Sequence, residues 1–200
     1  MRRCLVRKKL FSLFVLLTFF SGLARGQSIK EEGLAQKYKE WLNLTRYIIL
    51  SEEMEVFQKL TNDREKDIFI EAFWKQRDPT PGTPQNEYKE EIIKRFIYAT
   101  NQFGRGATRE GWMTDMGKIY ILLGPPASRE SYFEVRGIYP CEAWYYYGDT
   151  SKGLPAYFGL LFYKKGGVGE FKLYHQVADG PGSLLVGGQN IDMTDYPALY

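Results

Sequence analysis

The sequence predicts an α+β domain, an N-terminal helical half packed on a C-terminal antiparallel β-sheet, after a signal peptide. Three observations carry that prediction. Apolar residues recur at helical spacing through roughly the first hundred residues. Short aromatic runs bounded by glycine and proline dominate the second half. A basic and then apolar leader precedes both.

The leader comes first. Met1 to Lys9 carries Arg2, Arg3, Arg7, Lys8 and Lys9 and no acid. Leu10 to Phe20 is apolar apart from Ser12 and Thr18, and the small residues Ser21, Gly22, Ala24 and Gly26 follow. That order is the one a secretory signal peptide uses. The apolar run of 11 residues is short of the ~20 that span a bilayer, which argues against an uncleaved anchor. The expectation is an exported protein, periplasmic or extracellular, cut after Ala24 or Gly26, with no transmembrane span left. The chain then divides into a signal peptide (1–26), an α+β domain (27–177) and a Gly/Pro-rich tail (178–200) that reads as part of a longer chain.

Charge follows from the leader. The chain has 27 Lys and Arg against 24 Asp and Glu. Residues 1–26 hold six of those bases and no acid, so cleavage leaves 21 bases and 24 acids, a net of −3. The basicity belongs to the leader, and a nucleic-acid partner loses its support. Cleavage also removes Cys4 and leaves only Cys141. No internal disulfide can then form, and core burial must hold the domain together.

Ile29 to Leu42 has Leu34, Tyr38 and Trp41 at helical spacing, and Asn43 to Leu50 reads as a short extended segment. Ser51 is placed as an N-cap, with Glu52 and Glu53 in the favourable first turn and Met54, Phe57 and Leu60 on one face. Asp63 can cap a third helix reaching about Arg77, its face set by Phe69 with Phe73 and Ile70 with Trp74. Three prolines in Asp78 to Pro84 forbid a helix there. A fourth helix, about Gln85 to Phe103, repeats Tyr88, Ile92, Phe96, Ala99 and Phe103 and ends at Gly104.

Four strands are predicted. Lys118 to Leu123 is a compact apolar run closed by Gly124-Pro125-Pro126, as in a strand buried on both faces. Glu142 to Tyr147 is the second strand. Ala156 to Lys164 and Glu170 to Val177 flank a glycine-rich turn and read as a hairpin. The expected core is Phe69, Phe73, Ile92, Phe96, Ile119, Ile121 and Trp144, buried together.

No catalytic constellation is legible. The single histidine, His175, alternates with Phe171, Leu173 and Val177, which places it in the core or half-buried on a strand. A Ser-His-Asp or Cys-His arrangement would have to use it. No Cys/His cluster has metal spacing, and no glycine-rich phosphate loop is present, so no metal and no cofactor is expected. Paired carboxylates for sugar hydrolysis stay open, because that pairing is spatial.

Two segments stand out: Phe73-Trp74 through Arg77-Asp78 to Asn86-Glu87, and Gly111-Trp112-Met113-Thr114-Asp115. With Arg95, Gly117 to Tyr120, Gly124-Pro125-Pro126 and Trp144 to Tyr146, they form an ordered series over roughly residues 38–177 that resembles the GWxTD-domain family of bacterial proteins. The resemblance implies export and an α+β domain and supplies no activity, cofactor or catalytic residue.

The binding or structural motif is therefore Trp74, Arg77, Asp78, Asn86, Glu87, Arg95, Gly111, Trp112, Thr114 and Asp115. On a structural reading, Gly111 gives the backbone freedom, Trp112 plugs the seam between helices and sheet, and Thr114 and Asp115 close a turn. Gly117 then admits the chain to the buried strand. On a functional reading, Trp74, Arg77, Arg95, Trp112 and Asp115 line one pocket. Either way Asp115, or else Asp78 or Glu87, is expected to bond the Arg77 or Arg95 guanidinium. Two functions remain. One is a non-enzymatic envelope module that binds another protein or supports structure. The other is a secreted carboxylate-dependent hydrolase acting on glycans or peptides. The missing catalytic set favours the first.

Overall fold

The computed structural model describes residues 33–187, so the leader and the end of the tail lie outside the described residues. Four helices come first: α1 (Gln36–Thr45), α2 (Ser51–Lys59), α3 (Asp63–Lys75) and α4 (Glu87–Phe103). A 3-10 turn (Gly111–Met113) leads into α5 (Asp115–Leu123). Then come β1 (Ser128–Tyr132), β2 (Cys141–Tyr147), β3 (Tyr157–Tyr163) and β4 (Lys172–Leu173), and a short α6 (Gln176–Asp179). The strands form one antiparallel sheet in the order β1-β2-β3-β4. This is the predicted α+β arrangement, helices first and sheet second.

The helical half has its own core. Tyr38, Trp41 and Leu42 of α1 meet Met54 and Phe57 of α2, Phe73 and Trp74 of α3 and Ile92 of α4. Trp41 anchors it, with Phe57 at 4.9 Å and Phe73 edge-on at 5.2 Å. Its Nε1 is buried with no acceptor, a local cost. The predicted caps are off by one residue. Leu50, not Ser51, is the N-cap of α2, and the Glu53 carboxylate accepts its N–H. Asn62, not Asp63, caps α3 and accepts the Glu65 N–H. The segment read as extended at 43–50 begins as the last turn of α1, where the Thr45 hydroxyl bonds the Trp41 carbonyl.

The largest correction is the segment 118–123, which is helix and not strand. Thr114 caps α5, and its hydroxyl accepts the Gly117 N–H at 3.0 Å. The helix lies between α4 and the sheet. Ile121 faces Ala99 and Trp112, while Met116 and Tyr120 face Trp144, Tyr146 and Phe162. Burial on two sides makes a helix as uniformly apolar as a buried strand.

The sheet's first strand is β1, a segment outside the four strands that the spacing predicts; it pairs with β2 from Ser128↔Tyr145 to Tyr132↔Cys141. The predicted hairpin exists in shortened form, with Phe162↔Leu173 and Tyr163↔Lys172 paired. The strand ends there because the Asp179 carboxylate accepts the His175 N–H at 2.8 Å and turns the chain into α6. His175 is accordingly exposed rather than core, and its Nδ1 accepts the Ala178 N–H.

The residues expected to share one core divide among three clusters. Phe73 and Ile92, with Phe69 beside them, belong to the helical core. Ile121 and Phe96 surround Trp112. Trp144 and Ile119 lie between α5 and the sheet. Phe69, Phe96 and Ile119 are only half-buried.

The candidate functional site: the Gly-Trp-Met-Thr-Asp turn and the sheet face

The turn joins the two halves. A Cβ on Gly111 would lie 2.6 Å from the Thr100 carbonyl oxygen and the Gly104 nitrogen, so the turn sits directly on the α4 backbone. Close approach makes this residue glycine, not the conformational freedom expected of it; its φ is not positive. Gly117 in turn packs on the Gly111 carbonyl within α5 rather than leading into a strand. Trp112 is 4% exposed, with Phe96 at 5.3 Å and Tyr47 at 6.2 Å. The Thr114 hydroxyl also donates to the Gly111 carbonyl at 2.7 Å, which locks the turn onto the helix it caps.

Asp115 reaches the sheet. Its Oδ2 accepts the Leu173 N–H of β4 at 2.9 Å, and its Oδ1 lies 3.4 Å from Arg109. Arg109 also bonds Glu170 at 2.9 Å, and Lys172 pairs with Glu170. Burial works to raise the Glu170 carboxyl, but the hydrogen bonds and charges of Arg109 and Lys172 hold it below its ordinary range. Asp115 thus satisfies an edge-strand donor and clasps the sheet to the helices.

The two arginines do not take the partners expected of them. Arg77 donates to both oxygens of Glu53, at 2.8 and 2.7 Å, and lies 3.7 Å from the Phe73 ring. It ties the end of α3 to the start of α2. Arg95 bonds Glu91 at 2.7 Å and turns Nη1 toward the Ile121 and Leu122 carbonyls at 3.3 and 3.5 Å. These are the open carbonyls in the last turn of α5, so Arg95 caps that helix from a neighbouring one. Gly124 has φ 80, and a Cβ there would lie 2.9 Å from the Arg95 guanidinium.

The other motif residues organise the proline loop. Asn86 caps α4 through the Lys89 N–H and donates to the Trp74 carbonyl at 2.7 Å. Asp78 accepts the Thr80 N–H, and Glu87 accepts the Thr80 hydroxyl at 2.6 Å. That hydroxyl holds the Glu87 carboxyl below its ordinary range. Trp74 is buried in the helical core and Trp112 in a separate cluster, so the single pocket of the functional reading does not form. A groove of about 250 Å³ does exist between α2 and α3, lined by Glu52, Glu53, Val56, Phe69, Ala72, Phe73 and Gln76. It contains none of the ten motif residues.

Sequence reasoning missed the outer face of the sheet. Trp144, Tyr146 and Phe162 point to the helices, while Cys141, Ala143, Leu161 and Tyr163 pack under Ile138 and Leu184. Among the described residues the cover stops short of one end. There Tyr147 pairs with Tyr157 and Tyr145 with Gly159 across β2 and β3. The Tyr145 and Tyr157 rings stack 5.7 Å apart at 2°, with Tyr147 5.4 Å from Tyr157. Tyr147 is 78% exposed and Tyr157 53%. Alternation in Cys141 to Tyr147 was the available signal, since it puts residues 141, 143, 145 and 147 on one face.

Among the described residues, no group of three His, Cys, Asp or Glu is placed to hold a metal, and no helix is long and apolar enough to cross a membrane. Fold and turn define a class: an α+β domain whose helices are fastened to a four-stranded antiparallel sheet by a Gly-Trp-x-Thr-Asp turn. The chain belongs to the family of that turn, for the GWxTD domain matches residues 33–168. No curated protein and no solved structure matches the chain.

Proposed function

We propose that the protein is exported and that its GWxTD domain works in the cell envelope as a non-enzymatic module that binds another protein. The leader pattern supports export. The observation that carries binding is the pair of exposed rings Tyr147 and Tyr157, with half-buried Tyr145 stacked on Tyr157 beside them. Large aromatic side chains on a rigid sheet bury much area on association and lose little rotamer freedom. Tyr145 is further held by its hydroxyl, which donates to Glu130 at 3.2 Å.

The hydrolase alternative needs an acid held above its ordinary range to protonate a leaving group. Among the described residues, the carboxyls whose titration is displaced, Asp67, Glu87, Asp149 and Glu170, move the other way. The turn's polar groups are engaged in capping and clasping, which supports a structural role for the motif.

The test is affinity purification from the native envelope, comparing the protein with a Tyr147→Ser/Tyr157→Ser variant of unchanged melting temperature. A defined partner retained by the former and lost by the latter is expected. Equal retention by both would remove the tyrosine face from the binding site. Fractionation with N-terminal sequencing checks export, and a mature start at residue 25 or 27 is expected.

A further inference from the structure

The surface over the Gly-Trp-Met-Thr-Asp turn gathers cations around two aromatic rings. Arg46 lies 5.9 Å from the Trp112 ring and Lys118 5.9 Å from the Tyr47 ring, and those rings are 6.2 Å apart. Arg109, two residues before the turn, joins them through its pair with Asp115. Arg46 and Arg109 act on the same phenol: burial raises the Tyr47 hydroxyl's pKa, those two cations oppose that, and Asp115 adds to it. Arg109 pairs with both Asp115 and Glu170, and Lys172 pairs with Glu170. Among the described residues, neither Arg46 nor Lys118 has a carboxylate partner, and the Tyr47 hydroxyl makes no hydrogen bond.

We propose that this surface is a second contact point of the module, and that it takes a carboxylate presented by an acidic segment of the partner protein. The donors suit that group. Arginine forks bond carboxylates in their own plane, Lys118 adds a point charge, and the open phenol adds a neutral donor. The apolar rings beneath lower the local dielectric and strengthen each bond. A sugar anion fits less well. Trp112 is 4% exposed, so its face is closed to the stacking that saccharides use, and only the tips of side chains are offered. Acidic side chains reach such tips without stacking.

This inference rests on the domain being a binding module, and its test separates the two. The purified protein is titrated with a fluorescent Glu-Ser repeat peptide, with its Gln-Ser counterpart, and with a sulfated polysaccharide as competitor. Saturable binding of the glutamate peptide alone is expected. It should weaken roughly tenfold or more in Arg46→Ala/Lys118→Ala, whose exposed side chains leave folding intact, and a few-fold in Tyr47→Phe. Tyr147→Ser/Tyr157→Ser should leave peptide binding unchanged while losing the partner. No peptide binding, equal binding by the Arg46/Lys118 variant, or preference for the sulfated polysaccharide would each overturn the assignment. Partner capture through the tyrosine face would stand regardless.

Discussion

Thr114 caps one helix, bonds the turn before it and is fully enclosed, three consequences of one small hydroxyl. Thr114→Ala should therefore destabilise the domain by about 1–2 kcal/mol in urea unfolding, the upper range for a lost N-cap. A loss of only a few tenths would show that the cap is replaceable by solvent. Gly111→Ala is a different experiment at the same turn. It sets a methyl against the α4 backbone, which cannot yield as a side chain does, so about 1–3 kcal/mol of overpacking is expected. Cys141 shows the reverse situation, a residue with chemistry but no access. It is buried, and burial alone raises its thiol to about 12. A thiol reagent at pH 8 should leave Cys141 unmodified in the folded protein and modify it in urea, as peptide mass mapping can read.

Between elements, ionic contacts act as fasteners. Arg77 and Glu53, with side chains 17% and 20% exposed, join α3 to α2 through two short bonds to one carboxylate. Arg77→Met should cost about 1.5–3 kcal/mol, in the range of hydrogen bonds to charged groups and above a surface pair. Measured loss under about 1 kcal/mol would place the pair with the solvated ones. Asp115 fastens α5 to β4 through a backbone donor, which hydrogen exchange can address directly. In Asp115→Ala the Leu173 amide should exchange much faster while the Ile121 amide, deep in α5, stays protected. Equal acceleration of both would mean that the clasp holds the whole helix and not the strand edge alone.

At the scale of the molecule, the helical half and the sheet meet through α5 and the charges beside it. Glu170 takes part in that junction with a carboxyl depressed below its usual 4.5. A group depressed on folding stabilises the fold above its unfolded pKa, and that contribution is lost as pH falls through the folded value. Stability should therefore decline below about pH 4.5, and Glu170→Gln should be less stable at pH 7 with a shallower acid decline. Identical acid slopes in urea titrations of the two proteins would exclude Glu170 from the response. Much of this architecture is legible in the chain. Helical spacing locates α2 to α4 to within a few residues, outside the proline loop. Helix α1, expected from Ile29, starts instead at Gln36, with Gly33 to Ala35 outside the helix. Aromatic alternation locates β2 and β3. The turn at Gly111 to Asp115 is legible as a motif, but its partners are not: Leu173 lies 58 residues beyond Asp115, and Arg95 meets the carbonyls at 121 and 122 from another helix.

The sequence by itself determined the class of fold, the order of helices before sheet, the family and the residues of the joining turn. Each depends on local periodicity, capping or an ordered motif, which near neighbours in the chain decide. Even the helical character of α5 had a local signal, Thr114 before Asp115 and Gly124 before two prolines, though the apolar run between them reads equally as strand. Only the tertiary structure decided which acid meets which arginine, that the core divides into separate clusters, and that Tyr145, Tyr147 and Tyr157 share a face on which the last two are exposed. Those outcomes depend on contacts between residues far apart in sequence and on which part of the sheet the returning chain covers. Among the described residues the covering segment reaches the sheet at Leu184, and Tyr147 and Tyr157 at the end beyond it are exposed.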